Sequence, residues 1–316
     1  MKVCIATTKG DWSCSKTGKG FHALRLIPAL RRLGVDVTED CREKVDITMG
    51  IGRFVYKPIG KKLLRLGAVH FSASYNWKAP NKRKVKSVKM ADAVIYQAQF
   101  SRKISRKYLG KPSGPEAVIL NGSNIVKPDN DRRIYMMSTR KWILQKRLSQ
   151  AIKSFLMADI EDAVLHVYGD TLGQEKPFRN IKNIVLHGPS GQTEVQAMLK
   201  KANVLIHPTY LDACPNSVAE ALCAGCRVIC TDQGGTKELV RDNGIIIKDK
   251  EWSGKPINLE KPPKLDKIRM AEAIVMESVE GRPKVDASHV DINNLAKQYI
   301  KFFEKVLCNC CVKTDF

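Results

Sequence analysis

A short apolar run, Val204–Ile206, leads into HPTYLDACPNSVAEALCAGCRVICTDQGG, the segment from His207 to Gly235. Two carboxylates stand eight residues apart in it. Asp212 comes ahead of a helical stretch that opens near Asn216, and Glu220 falls on the first turns of that stretch. The opening of a helix leaves backbone N–H groups unpaired and carries the positive end of the peptide dipole, so it seats a phosphate or a sugar oxygen. A carboxylate beside such a seat accepts two hydroxyl donors, as a ribose diol provides. Each acid also has a plainer reading, Asp212 as a turn or capping residue and Glu220 as a favourable first-turn charge.

The elements that must hold these groups alternate between strand and helix. Apolar runs at Val3–Thr7, Ile47–Met49, Ala68–Phe71, Ala93–Tyr96 and Val118–Leu120 read as buried strands of a first half. A Gly- and Lys-rich loop runs to Gly20, and helical periodicity follows from Phe21 to Leu33, with Gly34 as the C′ residue and Pro28 predicting a kink or a late start. The second half repeats the pattern at Ile134–Met137, Val164–Tyr168, Ile184–Leu186, Val204–Ile206, Val228–Cys230 and Gly244–Ile247, with helical stretches at Leu148–Met157, Thr193–Lys201 and Val218–Cys223. Such alternation implies an α/β protein with parallel sheets covered on both faces. The polar stretch Asn121–Arg133 reads as the linker between a domain over 1–130 and one over 131–291. Lys250–Lys264 reads as an excursion loop, a final helix at about 292–307 has one apolar face free to pack back on the first domain, and 308–316 is a tail.

Charge divides the halves. Residues 1–130 carry 26 basic and 9 acidic side chains, a net +17, whereas residues 131–316 carry 28 and 23, a net +5. Lys82, Arg83, Lys84, Lys86 and Lys89 form the densest run, which predicts an anionic partner or, more plainly, a solvated face. The ten cysteines show no disulfide framework, and no run nears the ~20 apolar residues of a membrane span. The expectation is a chain of the cytoplasm, at most peripheral at a membrane surface.

The His207–Gly235 segment resembles the acid-x7-acid segment of retaining GT-B glycosyltransferases of the family 4 type. The resemblance extends to VILNGSN (118–124), STRKWILQKRLSQAI (138–152), LHVYGD (165–170) and NIVLHG (183–188). It implies two Rossmann-like domains with parallel sheets facing an interdomain cleft, the first binding the acceptor and the second a nucleotide sugar, UDP- or GDP-linked. It gives Arg140 and Lys146 the diphosphate, whose departing charge two fixed cations stabilise without a metal. Glu220 takes the ribose hydroxyls, Asp212 with Asn216 and Ser217 the transferred sugar, Gly188 the edge of the base, and Gly18 and Gly20 a close approach to the phosphates. The implied activity is hexosyl transfer with retention of anomeric configuration and no cofactor. Asp212 departs from the family's usual Glu, and His70 is the nearest match to its first-domain histidine.

Other motifs carry less. Ser15-Lys16-Thr17 lacks the glycine that a Walker A loop needs, Cys223-x-x-Cys226 lacks a second pair, and Asp129-Asn130-Asp131 reads as turn chemistry. The Cys308, Cys310, Cys311 cluster reads as a frayed end. Three functions remain open: transfer to a glycan or lipid-linked glycan at an acidic membrane, transfer to modified bases of DNA, and a non-catalytic protein of the same fold that binds a nucleotide sugar or nucleic acid. Tyr75 and Trp77 beside the lysine run are the only aromatic hint of nucleic acid.

Overall fold

The structure is a computed structural model, and it describes residues 1–6, 18–40, 42–55, 57–67, 69–129, 131–279, 281 and 283–308. The Ser15–Thr17 motif, Asn130 and the cysteines at 14, 41, 310 and 311 lie outside the described residues. The chain forms two units: Met1–Phe71 with Asn76–Gly122 and Asp291–Phe316, and Ser72–Tyr75 with Ser123–Val290.

In chain order the first unit contains β1 (Lys2–Ala6), α1 (Gly18–Arg32), β2 (Asp36–Thr38), β3 (Ile47–Ile51), β4 (Lys61–Leu66), α2 (Lys78–Met90), β5 (Ala93–Tyr96), α3 (Gln99–Leu109) and β6 (Glu116–Val118). The second contains β7 (Asp131–Lys141), α4 (Leu148–Ala158), β8 (Val164–Asp170), β9 (Ile184–Gly188), α5 (Gln192–Lys201), β10 (Ala202–His207), α6 (Asn216–Cys223), β11 (Arg227–Thr231), α7 (Thr236–Val240), β12 (Gly244–Ile247) and α8 (Lys267–Ser278). The last helix, α9 (Ile292–Leu307), belongs to the first unit.

Each unit is built on a parallel six-stranded sheet, in the orders β2-β1-β3-β4-β5-β6 and β12-β11-β10-β7-β8-β9. Strands buried on both faces need apolar side chains throughout, which is why most of them stand out in the sequence. On one face of the first sheet, Leu26 and Leu30 of α1 and Leu295, Tyr299 and Phe303 of α9 pack on Ile5, Met49 and Ile95. Tyr96, next along β5, points to the other face, where its hydroxyl donates to Glu116 (2.9 Å). Arg102 and Arg106 of α3 bind the same carboxylate. The α9 face also buries a polar knot: Arg65 Nε donates to the Tyr299 hydroxyl (2.6 Å), its Nη2 donates to Asn121 Oδ1, and His22 Nε2 lies 3.2 Å from Tyr299. Burial, followed by the charges of Arg65 and Arg25, holds the His22 imidazole well below its usual value, so it is neutral.

Four expectations change. The helix after β1 starts at Gly18 instead of Phe21, and it runs through Pro28. Pro28 and Leu24, one turn earlier, are both exposed, so the carbonyl the proline leaves unpaired can turn to water. The strand read at Ala68–Phe71 is β4, upstream, where two lysines at its start and an arginine inside it disguise the buried Leu63, Leu64 and Leu66. The lysine run is helix α2, with Asn81, Lys84 and Val88 on its buried side; Lys84 is only 9% exposed and leaves the basic patch. Finally, the stretch read as a linker is bonded into the second unit: Ser123 N donates to Val290 O (3.0 Å), Val126 N to Cys223 O (2.9 Å) and Asp129 N to Lys200 O (2.7 Å).

Candidate functional site

Parallel α/β sheets present their loops and helix N-termini at the carboxyl ends of the strands, where ligands bind. In the second unit those ends carry the turn after β7, the loop after β10 and the opening of α6. The β10 loop is fastened from below by Arg147, a fully buried side chain in the left-handed backbone region (φ 54°). Its Nε donates to Pro208 O (2.7 Å), its Nη2 binds Asp249 Oδ2 (2.6 Å), and its guanidinium lies over the Tyr210 ring at 5.6 Å. Gln145 and Tyr210 exchange two hydrogen bonds: Gln145 Nε2 donates to Tyr210 O (2.7 Å), and Tyr210 N donates to Gln145 O (3.1 Å). These contacts bring the 3-10 turn Leu144–Lys146 against the Asp212 loop.

Asp212 is held by its own backbone as well. Gly235 N donates to Asp212 O (2.7 Å), and Leu211 takes φ 57°. Gly234 has φ +107°, and a Cβ there would lie 2.5 Å from Asp212 O, so both conformation and space demand glycine. The carboxylate, about a quarter exposed, has His207 Nε2 3.5 Å from its Oδ2. Burial raises the Asp212 carboxyl, but contact with His207, the Lys146 ammonium and the Ala213 N–H outweigh it and hold the group below its usual 3.8. Lys146 donates to Thr139 Oγ1. Burial pulls its ammonium below the usual lysine value, with Asp212 countering. Lys146, on the turn after β7, and Asp212, on the loop after β10, thus place opposite charges on two segments that the Gln145–Tyr210 bonds hold together.

Arg140 is exposed at the end of β7. In α6, Val218, Ala219, Ala221 and Leu222 are buried, while Asn216, Ser217 and Glu220 form the partly open side, one turn apart on one face. The helix begins after Pro215 with no side-chain cap. Gly188 closes β9 at φ +69° and borders a surface hollow of about 610 Å³ with Asp170, Thr171, Arg179 and His187. Neither Asp212 nor Lys146 lines that hollow.

Of the remaining sequence candidates, the two glycines, the lysine run and His70 lie in the first unit, and Cys223 and Cys226 in the second. Gly18 and Gly20 form the first turn of α1, and Lys82, Arg83, Lys86 and Lys89 are exposed on α2. The His70 backbone is clamped by buried Asn81, whose Oδ1 accepts from His70 N (3.1 Å) and whose Nδ2 donates to His70 O (2.7 Å). Cys223 and Cys226 are buried thiols directed at carbonyls, Cys226 at Leu199 O (3.0 Å) and Cys223 at Ser123 O (3.4 Å). Sequence reasoning passed over His207, Arg147, Thr139 and Gly234. Only the glycine pair Gly234-Gly235 and a histidine five residues before Asp212 hinted at them.

The family model described as "Glycosyl transferases group 1" matches residues 124–255, all within the second unit. No curated protein sequence matches the chain. Among solved structures, sucrose-phosphate synthase from Thermosynechococcus elongatus is similar at 14% identity and a TM-score of 0.66, over 98% of this chain and 97% of that one. A glycosyltransferase involved in avilamycin A biosynthesis gives 12% and 0.67, over 98% and 99%. HepE of Anabaena, in complex with UDP and glucose, gives 12% and 0.63, over 96% and 99%. The fold is that of the GT-B glycosyltransferases.

Proposed function

We propose that this GT-B chain is a glycosyltransferase that moves a hexosyl group from a UDP- or GDP-linked donor to an acceptor hydroxyl, with retention of anomeric configuration. The observation that carries this reading is that the Gln145–Tyr210 bonds hold the Lys146 turn against the Asp212 loop, which leads into α6. Transfer breaks the bond between the anomeric carbon and the donor phosphate and forms one to the acceptor oxygen, whose proton leaves with the diphosphate. Charge grows on the departing diphosphate, and Arg140 and Lys146 are the fixed cations that stabilise it. Asp212, kept ionised by His207 and Lys146, accepts hydrogen bonds from the sugar hydroxyls, with Asn216 and Ser217 beside it. Glu220, on the same face of α6, takes the ribose diol, and the Gly188 turn edges the base.

The complex of HepE with UDP and glucose supports a uridine donor as the first to test. The acceptor is a glycan or lipid-linked glycan received by the basic first unit. No metal is needed in this scheme, because the two cations neutralise the leaving group. The experiment is mass spectrometry of products from mixed UDP- and GDP-sugars with glycan, lipid-linked and hydroxymethylated-DNA acceptors, with and without EDTA. Transfer to a glycan or lipid-linked acceptor that survives EDTA supports the reading. Loss of activity restored by Mn²⁺ overturns its metal-free part, transfer to the DNA alone moves the acceptor to modified bases, and donor binding without any transfer leaves a non-catalytic binding protein.

A further inference from the structure

Between Lys78 and Lys111 the chain carries eleven basic side chains and a single acid outside the buried core of the ion cluster, Asp92. The fold sorts these cations. Lys84 turns inward, and Arg102 and Arg106 are committed to the Glu116 carboxylate. Asp92 is spent just ahead of β5, accepting from Lys62 N of the neighbouring β4 (2.8 Å) with Lys62 Nζ 3.9 Å away. Lys78, Lys82, Arg83, Lys86 and Lys89 on α2, Lys103 and Lys107 on α3, and Lys111 just beyond it remain exposed.

Topology puts them on one side. In β4–α2–β5–α3–β6 all the strands are parallel, so both crossovers lie on the same face of the sheet and both helices run in the same direction. That face is opposite α1 and α9, as the alternation of Ile95 and Tyr96 shows. Two helices side by side make a flat, cationic surface, and Lys82 to Lys89 alone span about 10 Å along it.

We propose that the outer face of α2 and α3 docks on an anionic lipid bilayer. Seven of its eight outward cations are lysines. A lysine ammonium is a hydrated point charge suited to a diffuse negative surface, whereas nucleic acid is read by arginine forks and by an element that enters a groove. A planar pair of helices matches a planar bilayer, and Met90, 38% exposed at the end of α2, supplies a small apolar foot. Each lysine near such a surface is worth about fivefold in affinity. The surface is independent of donor binding, so a vesicle result leaves the nucleotide assignment untouched.

The test is co-sedimentation of the full chain with phosphatidylcholine vesicles, with and without phosphatidylglycerol, at low and physiological salt. The wild type should bind only the anionic vesicles, and more weakly as salt rises. Lys82→Gln with Lys86→Gln and Lys89→Gln should cost about a hundredfold. A charge-matched triple on α9, Lys297→Gln with Lys301→Gln and Lys305→Gln, should bind like the wild type. If the α2 triple melts early, Lys103→Gln with Lys107→Gln and Lys111→Gln replaces it. A wild type that ignores anionic vesicles at low salt overturns the proposal, as does equal loss in the α2 and α9 triples. Binding of duplex DNA through the α2 lysines, with vesicles ignored, assigns the face to nucleic acid instead.

Discussion

At the scale of the residue, Lys146 and Arg140 are the cations offered to a departing diphosphate, and Asp212 is the acid beside them on the β10 loop. Charge-assisted contacts to a diphosphate are worth ~1.5–3 kcal/mol each, so replacing Arg140 and Lys146 together with Ala should lower nucleoside diphosphate affinity by two to four decades. Isothermal titration calorimetry reads this directly, and an unchanged affinity removes both residues from the site. His207 gives a second expectation. The Asp212 carboxyl is held below 3.8, so its ionised form is complete above that value and is lost as the pH falls through the lowered one. His207→Phe removes part of what opposes burial, which should move the acid limb of the pH–activity profile upward while leaving the plateau near neutrality in place. An acid limb that does not move means His207 only packs the loop.

The element that changes most between sequence and structure is α2. As a run of charge, NKRKVKSVKM reads as uniformly wet, yet a helix turns 100° per residue and gives the run an inside. Asn81, Lys84 and Val88 fall on it, three and four residues apart. Lys84→Glu should therefore lower the melting temperature by several degrees, because it places a carboxylate at a buried position, whereas Lys86→Glu on the outer face should leave it unchanged. Equal melting of the two variants in differential scanning calorimetry contradicts the inward placement of Lys84. In α1, by contrast, the element tolerates a residue that its sequence marks as a break, since Pro28 lies on the wet side.

For the whole molecule, the consequential fact is that the first unit is discontinuous. The chain leaves it at Gly122 and returns at Asp291, and α9 then supplies Leu295, Tyr299, Phe302, Phe303 and Val306 to a core built from residues almost 300 positions earlier. At ~1.5–3 kcal/mol per large buried side chain, five of them amount to about 10 kcal/mol, comparable to the whole stability of a domain. A chain ending at Asp291 should lose amide protection over 1–122 and keep it over 131–279, as read by hydrogen exchange. Uniform protection throughout would show that α9 is an accessory.

How much was legible follows from periodicity. Fully buried strands such as β5 and β11 and the amphipathic α9 declare themselves within a few residues, and the order of motifs from Val118 to Gly235 sufficed to single out Asp212, Glu220, Arg140 and Lys146. Those signals are local or depend on spacing along the chain, which a sequence determines by itself. β4 was hidden because two lysines at its start and an arginine inside it mask three buried leucines. Only tertiary structure decided that Lys84 is buried, that Asn121 and Tyr299 share Arg65, and that the 123–129 stretch is bonded in place. It also decided the company of Asp212. Arg147 reaches the β10 loop from 61 residues away, and Gly234 needs its glycine because the backbone of Asp212 occupies the space of a side chain. Contacts between segments so far apart are set by how sheets and helices stack, and a linear pattern carries no record of which distant atoms will meet.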